Sequence, residues 1–335
     1  MSARRAVTPP FEIGGVVVEP GTRARFNLPA ALLPTRTPVD IPISVVHGRR
    51  PGPRLWVSAT IHGDELNGIE VIRQVLDRVP DPLPAGTLVA VPIVNVIGFI
   101  NQSRYLPDRR DLNRSFPGSR RGSLASRIAH LFMTEVVERC THGIDLHTAS
   151  LEKSNYPQTR VAPDDPGARA LAEAFCAPVT VASPPRKGSL RASASERGVP
   201  VLLYEAGEAQ RFDTEAVRYG VEGVLSVMAE LGMVSRRHRI RRRRSIEVVD
   251  SDWIRARRGG LLRLTVRQGE FVSQGEPIGR ISDPFGEDET LLKAPFDGVV
   301  IGATGNPVVH GGDAVVHLGR AEAGFSIPIG PPGTH

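Results

Sequence analysis

The stretch Arg54-Leu-Trp-Val-Ser-Ala-Thr-Ile-His62-Gly-Asp-Glu65-Leu-Asn-Gly68 decides how the rest of the chain is read. Leu55 to Ile61 is a short apolar, β-branched run of the kind that forms a buried strand. It stops abruptly at His62-Gly63-Asp64-Glu65. From Leu66 to Val79 apolar residues recur at helical spacing, at Leu66, Ile69, Ile72, Val75, Leu76 and Val79. A strand, a glycine-bearing turn and a helix put His62 and Glu65 at the carboxyl end of a sheet strand, where open α/β sheets place their ligand sites. An imidazole and a carboxylate three residues apart can share one zinc ion, given a third ligand from elsewhere and a fourth position for water. The same two groups also occur as ordinary polar residues of a turn.

A third ligand is offered by Gly143-Ile-Asp145-Leu-His147-Thr148, another short apolar run ended by a histidine. Asp145, two residues earlier, projects from the same strand face as His147 and is placed to orient its imidazole. A hydrogen-bonded structural histidine is the alternative. Two such strand ends in one α/β domain favour the metal set His62, Glu65 and His147, holding one Zn2+ per chain. Zinc fits this ligand set, although cobalt and manganese accept similar donors.

Two further segments carry polar chemistry. Ser103-Arg104-Tyr-Leu-Pro-Asp-Arg-Arg-Asp111-Leu-Asn113-Arg114-Ser-Phe-Pro-Gly118 lies in a long arginine-rich loop, and loops of that length in a compact domain are functional or disordered. The apolar run Val199-Pro-Val-Leu-Leu-Tyr204 delivers Glu205, a carboxylate that is costly in such surroundings without a partner or a task.

His-Gly-Asp-Glu, Asp-Leu-Asn-Arg-x-Phe-Pro-Gly, Asp-Leu-His-Thr and Tyr-Glu-Ala-Gly occur in this order over roughly residues 40–235. In these motifs the chain resembles the succinylglutamate desuccinylase/aspartoacylase family, relatives of the M14-type zinc carboxypeptidases. The resemblance implies hydrolysis of an amide next to a carboxylate. It implies Glu205 as general base and then acid, and Arg104 as stabiliser of the oxyanion. Asn113 and Arg114 would grip a substrate carboxylate. Asp111 is read as a brace for the loop, and Asp64 and Asn67 as turn and cap residues. The leading expectation is a deacylase for a small anionic N-acyl amino acid. A metallocarboxypeptidase acting on a small peptide or γ-linked amino acid is the second. A non-catalytic binding protein is the third, disfavoured because Glu205 accompanies all three ligands.

At 335 residues the chain exceeds one average domain, and 40% apolar residues suffice for a sizeable core. No run reaches the roughly 18 apolar residues of a membrane span. The first residues carry arginines but no apolar segment follows, so no secretory signal is read. Cys140 and Cys176 are too few for a disulfide framework, and Cys140 reads as a buried thiol. A cytoplasmic protein is expected. The net charge of +6 comes almost wholly from arginine, with only Lys153, Lys187 and Lys293 as lysines. The dense run from Arg236 to Arg244 has no aromatic partners and no nucleic-acid motif, which points to a solvated linker or edge strand. Neither nucleic acid nor membrane is expected as a partner.

The fold class is α/β, a mostly parallel, twisted, mixed sheet flanked by helices in the manner of a zinc carboxypeptidase, with a C-terminal all-β domain. Residues 1–10 are expected as a disordered tail, 11–235 as the catalytic domain and 236–247 as a basic linker. Antiparallel strands from Phe11 to Val46 feed the sheet edge, and helices are expected over 123–140, 166–177, 188–198 and 212–233. Beyond Ser245 helical periodicity gives way to glycines beside short β-branched runs. Residues 248–322 resemble a biotinyl/lipoyl-type barrel-sandwich, followed by a tail at 323–335. Its hairpin near Asp283–Glu289 has no lysine to carry a swinging arm. The module is read as structural, as a shaper of the active-site mouth, or as a homo-oligomer contact.

Overall fold

The computed structural model describes residues 8–240 and 245–321. A hairpin of β1 (Phe11–Ile13) and β2 (Val16–Val18) precedes two ten-residue strands, β3 (Arg23–Leu32) and β4 (Pro38–His47). Strands and helices then alternate: β5 (Arg54–Ala59), α1 (Asn67–Arg78), β6 (Thr87–Val91), α2 (Val96–Ile100), α3 (Leu124–Glu135) and β7 (His142–His147). They continue as β8 (Lys153–Val161), α4 (Pro166–Phe175), β9 (Val179–Ala182), α5 (Leu190–Ser195), β10 (Val201–Gly207) and α6 (Thr214–Glu230). Five of the helices begin at a residue whose side chain accepts from the N–H three positions on: Asn95, Ser123, Asp165, Ser189 and Asp213.

Strands β10, β7, β5 and β6 run parallel at the centre of the main sheet, and β4 and β3 extend it antiparallel to one edge. Helices α1, α4 and α6 bury one face with Leu55, Val57, Leu146 and Leu202. The other face, with Trp56, Ile43 and Val201, is covered by α3, α5 and the β1–β2 hairpin. Burial on both sides is why these strands read as continuous apolar runs rather than as alternating patterns. The result is a mixed α/β fold with its site at the carboxyl ends of β5, β7 and β10.

The C-terminal β domain comprises β11 (Ile246–Arg255), β12 (Gly260–Leu264), β13 (Phe271–Val272), β14 (Pro277–Ser282), β15 (Glu289–Lys293), β16 (Gly298–Thr304), β17 (Val308–Val309) and β18 (Ala314–Ala321). One sheet of four, β15-β14-β12-β17, shares a core with the other strands through Ile278, Ile281, Val300 and Val316. The remaining strands join the main sheet directly, giving twelve strands in the order β13-β16-β18-β11-β9-β8-β10-β7-β5-β6-β4-β3. The join runs through β11, whose Ile246 to Val248 pair parallel with β9, and it is doubled at β8, whose outer edge is divided. Gln158 to Val161 pair with β9, whereas Lys153 to Asn155 pair antiparallel with β16. The second domain is therefore hydrogen-bonded into the first.

Several expectations need correction. The tail expected over 1–10 is ordered by position 8: Thr8 donates to the Arg49 carbonyl at 2.9 Å, and His47 Nε2 lies 3.0 Å from the Pro9 carbonyl. Residues 1–7 and the tail at 323–335 lie outside the described residues. Within the basic run, Arg236–His238 forms a 3-10 turn and 241–244 lie outside the described residues. The helix expected over 123–140 closes at Glu135 and passes into a 3-10 turn at Val137–Arg139. Asn67 is not a helix cap; its amide donates to the Ala206 carbonyl and accepts from the Asp213 N–H, tying α1 to the loop after β10. No described helix is long and apolar enough to cross a membrane.

Where the two domains meet, His317 of β18 stacks on Trp253 of β11, with centroids 4.7 Å apart and planes 9° from parallel. Burial, helped by the positive charge of Arg160, holds its imidazole down at about 3, so it stays neutral in the folded protein. The unfolded chain protonates the same ring near pH 6.5. Protons thus favour the unfolded state below that value, and His317 should cost stability as pH falls from 6.5 towards 3, by about 1.4 kcal/mol per unit. Melting curves at pH 7.5 and 5.5 should show a smaller acid-induced drop for His317→Gln than for the parent chain. Equal drops would mean that His317 carries no such linkage.

Candidate metal centre and its cavity

Strand β5 ends at Ala59, and Thr60 takes φ +57. A β-branched residue in the left-handed region costs on the order of 1–3 kcal/mol and persists only when its surroundings enforce it. Here the Thr60 carbonyl accepts from Asn95 N at 2.9 Å, and its hydroxyl donates to the Glu65 carbonyl at 3.2 Å. The following turn is pressed against α2. A Cβ at Gly63 would stand 1.9 Å from the Gly98 carbonyl carbon, so only glycine fits. This reversal brings His62 and Glu65 back over the strand end, beside His147 at the end of β7.

Glu65 is the hub of the resulting cluster. Its Oε1 lies 2.6 Å from His62 Nδ1 and 3.3 Å from an Arg104 guanidinium nitrogen. Its Oε2 lies 2.8 Å from His147 Nδ1 and accepts from the Thr148 N–H at 3.1 Å. Burial alone would push the carboxyl up, but the two imidazoles drive it far below the usual carboxylate range. Burial likewise opposes charge on both histidines. Glu65 and Asp111 raise His62 regardless, and Asp145 and Glu65 raise His147 well above the ordinary value. The cluster therefore holds a carboxylate anion between two imidazoles that it makes easier to protonate.

One ligand atom each from His62, Glu65 and His147 lies within 4.8 Å of the others, and all three residues are buried. The opposite ring nitrogens are braced. His147 Nε2 lies 2.8 Å from Asp145, which also accepts from the Ser58 hydroxyl at 2.8 Å. His62 Nε2 lies 3.2 Å from Asp111. Two imidazole nitrogens facing a carboxylate, each ring fixed from behind by a further carboxylate, form a donor set suited to a divalent ion such as zinc.

The cluster opens into a cavity of about 540 Å3. The residues read from the sequence as catalytic, substrate-binding or metal-ligating all reach it: Arg104, Asn113, Arg114 and Glu205 line the same space as His62, Glu65 and His147. Arg104 spans Glu65 and Asp111, the latter at 3.1 Å, and Asp111 also accepts from the Asn113 N–H. Asp111 thus braces the loop and also steadies His62. Asn113 spends its carbonyl oxygen on the Leu190 N–H at 2.9 Å, which leaves its amide nitrogen for a ligand. Glu205 of β10 gives Oε2 to Asn155 at 2.7 Å and to Arg160 at 3.2 Å.

Sequence reasoning missed much of the wall. Lys153, Asn155 and Arg160 come from β8, Arg186 and Arg191 from the segment around α5, and Trp253 from the second domain. Arg191 is buried with one guanidinium nitrogen unpartnered. Burial and the neighbouring Arg160 lower its pKa to about 10. In the sequence Arg160, Arg186 and Arg191 are indistinguishable from the many arginines on the surface; tertiary placement alone brings them to the cavity.

A buried two-histidine, one-carboxylate set at the strand ends of a mixed α/β sheet, open to a polar cavity, has the make-up of a mononuclear hydrolase centre. The chain belongs to the succinylglutamate desuccinylase/aspartoacylase family, whose catalytic-domain model matches residues 51–231, more than half of its length. It is 27% identical over 290 residues to the N-alpha-acetyl-L-2,4-diaminobutyric acid deacetylase of Halomonas elongata, covering 83% of this chain and 84% of that protein. A crystal structure of a succinylglutamate desuccinylase/aspartoacylase from Rhodobacter sphaeroides matches with 29% identity and a TM-score of 0.77, covering 90% and 95% of the two chains. The product-bound ectoine utilization protein EutE (DoeB) from Ruegeria pomeroyi has the same fold, with a TM-score of 0.79 at 21% identity over 95% of this chain and 99% of that one.

Chelator-treated protein titrated with Zn2+ is expected to take up one ion per chain, and His147→Ala to take up none at the same concentration. Asp145→Asn should bind about 10–100-fold more weakly, as expected when the group fixing a ligating imidazole is lost. Unchanged affinity in Asp145→Asn would remove that residue from the role.

Proposed function

We propose that the protein is a zinc-dependent amidohydrolase that removes the acyl group from a small anionic N-acyl amino acid. The observation that carries this reading is the presence of Glu205 in the same cavity as His62, Glu65 and His147, together with a surplus of cations. Arg104, Arg114, Lys153, Arg160, Arg186 and Arg191 face that space, against the carboxylates Glu65, Asp145 and Glu205. Such a wall suits a substrate bearing carboxylates. It does not suit a free ammonium group such as the side-chain amine of an N-alpha-acetylated diaminobutyric acid, so the relative's substrate is not carried over. The names of the relatives support the reaction class, acyl removal from an amino acid.

A zinc ion held by His62, Glu65 and His147 would polarise the amide carbonyl and acidify water. The chain's own residues supply the rest. Glu205 takes a proton from the attacking water as the water oxygen bonds to the carbonyl carbon, and returns it to the departing nitrogen as the C–N bond breaks. Oε2 of Glu205 is committed to Asn155 and Arg160, so Oε1 is the oxygen left for this proton. Arg104 is held at the edge of the cluster by Glu65 and Asp111, where its guanidinium can donate to the carbonyl oxygen as negative charge develops. Arg114 and the amide nitrogen of Asn113 hold the substrate carboxylate.

The decisive experiment measures primary-amine release from a panel of N-acyl amino acids and short peptides, with and without a chelator. Chelator-sensitive release that is fastest for N-acylated dicarboxylic amino acids is expected. Release from peptides alone would make the enzyme a carboxypeptidase, and no release from any member by zinc-loaded protein would point to a binding role. Glu205→Ala should keep its zinc and lose at least about 100-fold in kcat, the usual contribution of a general base. Arg114→Ala should raise KM by about 10–100-fold for carboxylate-bearing substrates, in line with a charged hydrogen bond. Equal effects on the corresponding carboxamides would sink the clamp.

A further inference from the structure

We infer that the C-terminal β domain is part of the catalytic machinery, because Gly302 of β16 seats Asn155, and Asn155 aims Glu205. This rests on the reading of Glu205 as the general base. The geometry runs through three strands. Glu205 of β10 pairs across the sheet with Gln158 of β8, and the register then shifts so that Gly207 faces Asn155. That irregularity lets the Asn155 amide reach sideways to Glu205 Oε2 at 2.7 Å. Asn155 is buried, so its side chain has little freedom to do anything else.

On its other edge Asn155 pairs with Gly302 of β16. A Cβ on Gly302 would sit 2.9 Å from Asn155 Oδ1, closer than real Cβ contacts come, so any side chain there displaces the amide. The next nearest atoms are less crowded: the Ser154 carbonyl oxygen at 3.2 Å would have to give by a few tenths of an ångström, and His317 Cβ at 3.4 Å is at the edge of ordinary contact. The glycine is therefore needed chiefly for Asn155.

The rest of the domain fixes β8 at this point. Gln268 donates to the Ser154 carbonyl at 2.8 Å. The Gly305 N–H and the Thr304 hydroxyl both reach the Glu152 carbonyl, at 2.7 and 3.0 Å. Gln158 donates to the Ile301 carbonyl at 2.9 Å. All these contacts come from the second domain and converge on the short stretch that holds the base. Asn155 is thus a positioning residue for Glu205, and Gly302 is the feature of the other domain that lets it occupy its place.

The test is a double-mutant cycle on the zinc-loaded, full-length enzyme with the best substrate of the panel, using Asn155→Ala, Gly302→Ala and the pair. Each single variant should lose about tenfold or more in kcat with KM and zinc content little changed, since a displacement near 1 Å at the reacting centre can cost that much. The pair should lose no more than Asn155→Ala alone, because the added methyl has nothing left to displace. Losses that multiply would overturn the inference, as would a fall confined to KM or to zinc content. If Gly302→Ala does not fold, the pair decides the matter: it should be soluble with the activity of Asn155→Ala, and an equally insoluble pair would refute the link to Asn155. Retained activity in Glu205→Ala would instead overturn the assignment of the base itself.

Discussion

A buried carboxylate shared between two imidazoles is the constraint on which the site depends. Glu65 sits almost wholly out of water, where an unpaired charge would cost several kcal/mol. It is tolerable because His62, His147, Arg104 and the Thr148 N–H surround both oxygens. The three side chains are committed elsewhere as well: His62 to Asp111, His147 to Asp145, Arg104 to Asp111. Displacing one group would unbalance several, which keeps the ligand atoms within reach of one another. The left-handed Thr60 and the close approach at Gly63 are local costs that the network sustains. Backbone strain beside a functional cluster is what such over-determination permits.

The second constraint is the divided edge of β8. An edge strand exposes unpaired N–H and C=O groups that need covering. Here two different parts of the chain cover one strand, β9 over its second half and β16 over its first. The strand that supplies Asn155 and Arg160 to Glu205 is thereby held from both domains. The same junction carries Trp253 into the cavity, backed by His317, with the Lys153 ammonium 5.2 Å from the indole centroid. The C-terminal β domain thus forms part of the cavity wall.

Much of the site was legible in the sequence because its residues end apolar runs. His62, Glu65 and His147 each follow a short buried strand, and that local pattern requires no knowledge of pairing partners. The loop from Ser103 to Gly118 was legible for its length and arginine content, and the structure brings Arg104, Asn113 and Arg114 to the cavity. Lys153, Asn155 and Arg160 were not legible, because β8 is mixed in polarity and its inward face depends on strands far away in the chain. Asn67 misled for a related reason. At a helix start it reads as a cap, but its amide is taken by Ala206 and Asp213 across the sheet. Local signals fixed the ligands, whereas tertiary pairing fixed the walls.

That division bears on how substrate choice is set within this architecture. The candidate ligands lie in the turn after β5 and at the end of β7, strands buried on both faces, where any change disturbs a tightly packed core. Besides Arg104 and Arg114 of the 103–118 loop, the cations of the cavity wall sit on β8 and on the segment around α5. Arg191 shows the consequence: it is buried, has an unpartnered nitrogen, and has its pKa lowered to about 10 by burial and Arg160. A guanidinium left in that state gains more from an anionic ligand than one already paired on the surface, since its desolvation has been met in the folded chain. Charge in this wall can therefore select among substrates while the ligand cluster stays constant.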